Sequence, residues 1–188
     1  MNKSIETQTQ EWYRNYYEKS GKDRNSLRNP QVLFQVLAAE AAFVRATYVI
    51  NIDPKKAIVL DVGCRSGGLI HLLLGCEYQP ENITGIDILP GRIMEARRRY
   101  SKIKFTVGDA GDMEFDPASF DLVTESTIFV QITDDGLAQS IGNEMLRVLK
   151  PGGYLLLIDW RMRKPYDNSY RALTRERLNG LFDVGKSS

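Results

Sequence analysis

Four acidic residues, Asp61, Asp87, Asp109 and Glu125, each sit at the end of a short apolar or β-branched run. In a sheet of parallel strands such positions fall at the carboxyl edge, where open α/β folds bind their ligands. A carboxylate there accepts hydrogen bonds from ribose hydroxyls or an exocyclic amine, or holds a cationic amino group. The most informative stretch is Val59-Leu60-Asp61-Val62-Gly63-Cys64-Arg65-Ser66-Gly67-Gly68, an apolar strand running into a glycine-containing turn and then a helix. Glycine lets backbone approach a ligand closely there. Common scaffolding uses the same turn, so the stretch alone does not name the ligand.

Thr84-Gly85-Ile86-Asp87 ends a second strand in an acid suited to ribose hydroxyls, whether of a nicotinamide or an adenosyl cofactor. Ile88 and Leu89 then offer an apolar face for adenine, or simply join the core. In Gly108-Asp109-Ala110-Gly111-Asp112 an acid after a flexible glycine can accept an adenine amino group, with a solvated loop acid as the plain alternative. Glu125 and Ser126 follow a fourth strand that begins at Ser119-Phe120-Asp121-Leu122-Val123. The turn signal Leu149-Lys150-Pro151-Gly152-Gly153 precedes a fifth, apolar run, Tyr154 to Trp160.

The elements that must position these residues alternate in type. Strands are predicted near 57–62, 83–87, 103–107, 120–124 and 154–160, and helices at about 67–75, 90–100, 135–149 and 170–183. Alternation of this kind predicts a doubly wound α/β fold, a mostly parallel sheet with crossover helices and strand order 3-2-1-4-5. Ahead of it, Trp12, Tyr13, Tyr16 and Tyr17 share one side of a short predicted helix that either packs or lids a site. Asn29-Pro30 then caps a long amphipathic helix running to Val49, with a stop at Asp53-Pro54. The expected organisation is one domain over 1–188, an N-terminal helical cap over 1–53 and a Rossmann-like core over 54–188.

Composition narrows the class of partner. The 188 residues carry 25 Lys and Arg against 24 Asp and Glu, so no global field attracts nucleic acid or an anionic membrane. The two cysteines, Cys64 and Cys76, lack metal-ligand spacing and read as free thiols. No continuous apolar run reaches the roughly 18 to 20 residues of a membrane span, so a cytoplasmic protein is expected. No metal site is expected either.

Taken in order, VLDVGCRSGG, GIDILP, GDAGDMEF, SFDLV and LKPGGYLLLIDW resemble the class I S-adenosylmethionine-dependent methyltransferases over residues 57–160. The resemblance implies S-adenosylmethionine as cofactor, with Gly63, Cys64, Arg65 and Gly67 cradling its methionine moiety and Asp61 near its amino group. It implies Asp87 on the ribose hydroxyls, Ile88 along the adenine, Asp109 with Ala110 at the adenine edge, and Glu125 and Ser126 near the transferred methyl. Glu125 is then the candidate base for an acceptor that loses a proton, and the acceptor is expected to be a small molecule. His71, the only histidine, falls on the helix after the turn and reads as structural. Arg65 stands where the family's motif most often has a glycine, so it either crowds the cofactor or pairs with its carboxylate.

Two alternatives remain open. A nicotinamide-dependent oxidoreductase would use Asp87 equally well, although the turn does not spell G-x-G-x-x-G and no Tyr-x-x-x-Lys pair follows. A non-catalytic S-adenosylmethionine-binding protein would keep the fold without turnover. The resembled fold usually adds a sixth and a seventh strand, which this sequence lacks, so the fifth strand is expected at a sheet edge. The segment from Arg161 to Ser188 folding back, a second copy or a longer natural chain would cover it, the last two being favoured because a helix on a face leaves the edge hydrogen bonds unmet.

Overall fold

The computed structural model describes residues 26–162 and 170–182, together with Thr7 and Glu11. The aromatic cluster from Trp12 to Tyr17 lies outside the described residues. The chain divides into two compact units, Met1–Val49 and Ile50–Ser188.

Helix α1 (Pro30–Val49) in the first unit starts as its cap predicts. Asn29 Oδ1 accepts from Gln31 N at 3.0 Å and Asn29 O from Leu33 N at 2.9 Å. Its amphipathic character is corrected: Phe43 alone is buried, and Leu33, Phe34, Leu37, Tyr48 and Val49 are exposed. The expected lack of a span-length segment is corrected as well. An 18-residue window of this 20-residue helix reaches a mean hydropathy of 1.4, long and apolar enough by length and composition to cross a membrane. Glu40 and Arg45 are its only charged residues; they interrupt the apolar run, and its average stays high despite them.

The second unit is built on β1 (Val59–Val62), β2 (Ile83–Asp87), β3 (Lys104–Val107), β4 (Phe120–Ser126) and β5 (Leu149–Ile158). All pairings are parallel and the order is β3-β2-β1-β4-β5, as the alternation of elements predicts. Every residue of β1 is buried, the pattern of a central strand covered on both faces. Between the strands run α2 (Ile70–Gly75), α3 (Pro90–Arg99) and α4 (Asp135–Val148), and α5 (Arg175–Phe182) follows β5. The second predicted helix begins three residues late because the chain at 66–69 is still turning.

A larger correction concerns Lys150-Pro151-Gly152-Gly153. This is not a turn before the strand but a bulge inside it, since Phe120 pairs with Leu149 and Leu122 with Tyr154. Gly152, at φ 79°, and a proline with no N–H to donate break the ladder only locally. Lys150 Nζ meanwhile reaches Asp121 Oδ1 at 2.9 Å across the strand pair.

The core sits between β1, β4, α4 and α5. Asp134 caps α4 by accepting from Leu137 N at 2.8 Å, and Ala138, Ile141, Gly142, Met145 and Val148 form its buried stripe. Helix α5 then packs closely on α4. A methyl at Gly142 would come within 3.0 Å of Leu181 O, and Phe129 and Phe182 meet edge to face at 5.6 Å. Arg147 ties the chain after β3 to the same helix by donating to Met113 O and Phe115 O at 2.9 and 2.8 Å.

On the other flank, Gly85 is the tight spot. A Cβ there would lie 2.7 Å from Phe105 Cδ1 and 2.8 Å from Cys64 Sγ, both buried. Gly85→Ala should therefore destabilise the protein by about 1–3 kcal/mol through overpacking. A urea midpoint lowered at unchanged slope would show it; an unchanged midpoint would mean that Phe105 yields freely.

Candidate functional site

The carboxyl ends of β1, β2 and β4 bring Asp61, Asp87 and Glu125 to one edge, as the sequence predicts. Asp87 is the best connected. Its Oδ2 accepts from Arg65 N at 2.8 Å and its Oδ1 from Leu89 N at 2.9 Å, so one carboxylate pins the turns after both β1 and β2. Burial raises its pKa, and these two bonds pull it back down.

The turn after β1 adopts left-handed backbone at Gly63 (φ 62°), Arg65 (φ 51°) and Gly67 (φ 87°). At Arg65 that conformation costs about 1–2 kcal/mol relative to glycine. Its guanidinium lies beside Gly68, where Nη2 would stand 3.2 Å from an added Cβ. The glycines are required by the protein's own packing. A methyl on Gly63 would meet Ile128 Cδ1 at 2.6 Å, and one on Gly67 would meet Tyr100 Cε2 at 2.6 Å.

Four of the turn's amides are likewise engaged within the protein. Cys64 N donates to Ile86 O, Arg65 N to Asp87, and Gly67 N and Gly68 N both donate to Cys64 O. What the edge offers instead is carboxylate oxygen. Asp61 is buried; its Oδ1 accepts from Thr124 Oγ1 at 3.0 Å while its Oδ2 has no partner. Burial pushes its pKa up to about 7. Glu125 is fully buried; its Oε2 accepts from Ile128 N at 3.0 Å and its Oε1 has no partner. Burial first, and the Asp159 charge second, hold its carboxyl well above the usual range.

The remaining predicted residues lie around this edge. Ile88 and Ser126 are half-buried beside Asp87 and Glu125 in sequence. Asp109 Oδ1 accepts from Gly111 N at 2.8 Å, and Ala110 packs against the core. Cys64 is buried, and burial raises its thiol pKa. His71 is exposed on α2.

Sequence reasoning missed three contributors. Asp159, just past β5, accepts from Val130 N at 2.9 Å and from Trp160 N at 2.7 Å. Burial raises its pKa to about 6. As the lone acid of Leu155-Leu156-Leu157-Ile158-Asp159, it carries the same strand-end signal as Asp61 and Asp87. Thr124 supports Asp61. Arg177 on α5 donates to Phe129 O, Ile132 O and Arg171 O, each at 2.8 Å, and so grips the chain just beyond Glu125. No local pattern announces either of those two.

A buried acceptor without a donor costs about 1–3 kcal/mol, and two at one sheet edge call for a group that brings positive charge. Among the described residues no group of three or more His, Cys, Asp or Glu is placed to hold a metal ion. The methyltransferase domain family matches residues 59–153, the span that carries all of these carboxylates except Asp159. This chain belongs to that family. The fold is the Rossmann-like fold of the class I S-adenosylmethionine-dependent methyltransferases.

A 2-methyl-6-phytyl-1,4-hydroquinone methyltransferase of Synechocystis is 35% identical over 58% of this chain and 34% of its own length. A fatty-acid O-methyltransferase of Mycolicibacterium smegmatis is 37% identical over 69% of this chain and 46% of its own. The chain thus spans less than half the length of these curated relatives. Among solved structures, an S-adenosylmethionine-dependent methyltransferase of Methanosarcina mazei superposes with a TM-score of 0.54 at 25% identity, covering 65% of this chain and 76% of that protein.

Asp61 binds its proton more tightly in the folded than in the unfolded protein. Its contribution to stability is thus complete below about pH 4 and is lost as pH rises toward about 7. Full ionisation costs at most roughly 4 kcal/mol. Asp61→Asn, which cannot ionise, should flatten the fall in urea midpoint between those pH values. Parallel falls in both proteins would show that Asp61 ionises without penalty.

Proposed function

We propose that this chain binds S-adenosylmethionine at the carboxyl edge of β1, β2 and β4 and transfers its methyl group to a small-molecule acceptor. The observation that carries the reading is the pair of buried oxygens, Asp61 Oδ2 and Glu125 Oε1, that lack any donor. A ligand with an ammonium and a sulfonium centre supplies what they lack. Asp61 would hold the amino group, Asp87 the ribose hydroxyls through its remaining lone pairs, and Ile88 and Ala110 the adenine faces. Bound there, the cofactor supplies an electrophilic methyl; the protein aligns the acceptor and excludes water.

The same observation weighs against a nicotinamide dinucleotide. A pyrophosphate needs free N–H donors at the turn, and those of Cys64, Arg65, Gly67 and Gly68 are engaged. An anion would also face three buried carboxyls. S-adenosylhomocysteine at about 100 times its dissociation constant should stabilise the protein by about 2.7 kcal/mol, or roughly 5–10 °C in melting temperature. Asp87→Ala should abolish most of that shift, and also lower the ligand-free melting temperature because it releases two turns. An undiminished shift in the variant would refute the assignment.

We also propose that β5 receives a second copy of the chain. Among the described residues β5 pairs only with β4, and its run Tyr154-Leu155-Leu156-Leu157-Ile158 is apolar. Helix α5 covers a face of α4 and leaves the strand's outer hydrogen bonds open. Light scattering after size exclusion should report a dimer at about 100 μM protein, and a monodisperse monomer there would rule the pairing out.

A further inference from the structure

Glu125 and Asp159 end neighbouring strands, β4 and β5, and one short 3-10 turn, Phe129–Gln131, clamps both. At the start of that turn Ile128 N donates to Glu125 Oε2, and within it Val130 N donates to Asp159 Oδ2. Arg177 grips the turn from behind through Phe129 O and Ile132 O. The two carboxyls are not equivalent. Both oxygens of Asp159 accept backbone N–H bonds, which favours its charged form, while Glu125 Oε1 is sealed with no partner.

The charged surroundings point the same way. Glu125 faces the like charges of Asp159 beyond β5 and Asp61 on β1, and Arg65 from the turn offsets them only in part. Asp159 in addition feels Arg177 from α5. Near neutral pH the pair therefore keeps one proton, on Glu125, and one negative charge, on Asp159.

We propose that Glu125 and Asp159 form a proton-holding pair that selects acceptors neutral before methyl transfer and cationic after it, an amine nitrogen or the π bond of an electron-rich ring, and rejects carboxylates. The inference rests on the methyltransferase reading above. Arrival of the sulfonium charge expels the proton of Glu125 to solvent. The acceptor's electron pair then forms the new bond to the methyl carbon as the carbon–sulfur bond breaks, its pair remaining on sulfur. The acceptor, now positive, loses its N–H or ring C–H proton to Glu125, which ends as it began. One proton is released per methyl transferred. An anionic acceptor gains nothing from this arrangement and must be buried beside two carboxylates.

The test compares S-adenosylmethionine with S-adenosylhomocysteine by titration calorimetry at pH 7 in two buffers of different ionisation enthalpy. The ligands share their ammonium, carboxylate, ribose and adenine, so proton effects at Asp61 and Asp87 cancel in the difference. Only the first carries the sulfonium charge. The wild-type protein should release on the order of half a proton or more beyond that released with the homocysteine ligand. The difference should vanish in Glu125→Gln and, in the wild type alone, fade at higher pH where Glu125 is already ionised. Equal proton counts for two ligands that both bind would overturn the proton-holding pair and leave the methyltransferase reading intact, whereas no binding of either would overturn both. Laurate, added to the protein loaded with S-adenosylmethionine so that both carboxyls are ionised, should neither bind nor be methylated; binding tighter than about 1 mM would overturn the rejection of carboxylates.

Discussion

The carboxylate of Asp87 is the tie on which the ligand edge depends. By accepting from Arg65 N and Leu89 N it fixes the turns after β1 and β2 relative to each other. Those turns set where α2 and α3 begin, and through Gly67 and Tyr100 the end of α3 packs back on the first turn. A backbone that is left-handed at three of five successive residues would not hold its shape unaided. The carboxylate supplies the restraint, and it holds Arg65 in a backbone conformation that glycine would adopt at less cost.

Around that tie the protein keeps acids where burial resists their charge. Asp61 and Glu125 are sealed in the sheet edge with an oxygen each left unsatisfied, and Asp159 stands half-buried beside them. A more stable protein would replace them with apolar residues of similar size. Their presence costs the protein stability, and under the proposed function a cationic ligand would offset that cost. The flanking layers offset that expense with ordinary apolar packing, densest between β4, α4 and α5.

Much of this was legible in the chain itself. Strand order, the limits of β2 and the cap of α1 followed from period, β-branching and an asparagine before a helix, because those signals are local. The gathering of Asp61, Asp87 and Glu125 at the carboxyl edge of the sheet followed from strand-end position for the same reason. Asp159 obeys that rule too, but its apolar run read as scaffold. Thr124 and Arg177 could not be read, since each acts through a partner set by tertiary folding: Asp61 on the next strand, and carbonyls 45 to 48 residues earlier. The bulge at Lys150–Gly153 was misread because proline and two glycines mark a turn in isolation, and only pairing with Asp121 and its neighbours reveals a strand that continues past them.

Arg177 also sets an order of assembly. The turn that holds Glu125 and Asp159 precedes α5 in the chain, yet its carbonyls are gripped by a guanidinium made some 45 residues later. On the ribosome the five strands can emerge and pair before Arg177 exists outside the exit tunnel. Until it arrives, the turn has donors pointing at two carboxyls but nothing fixing its own far side. The last-made of the described elements thus completes the clamp, and a nascent chain halted before α5 would lack both the grip on that turn and the core contribution of Leu181 and Phe182.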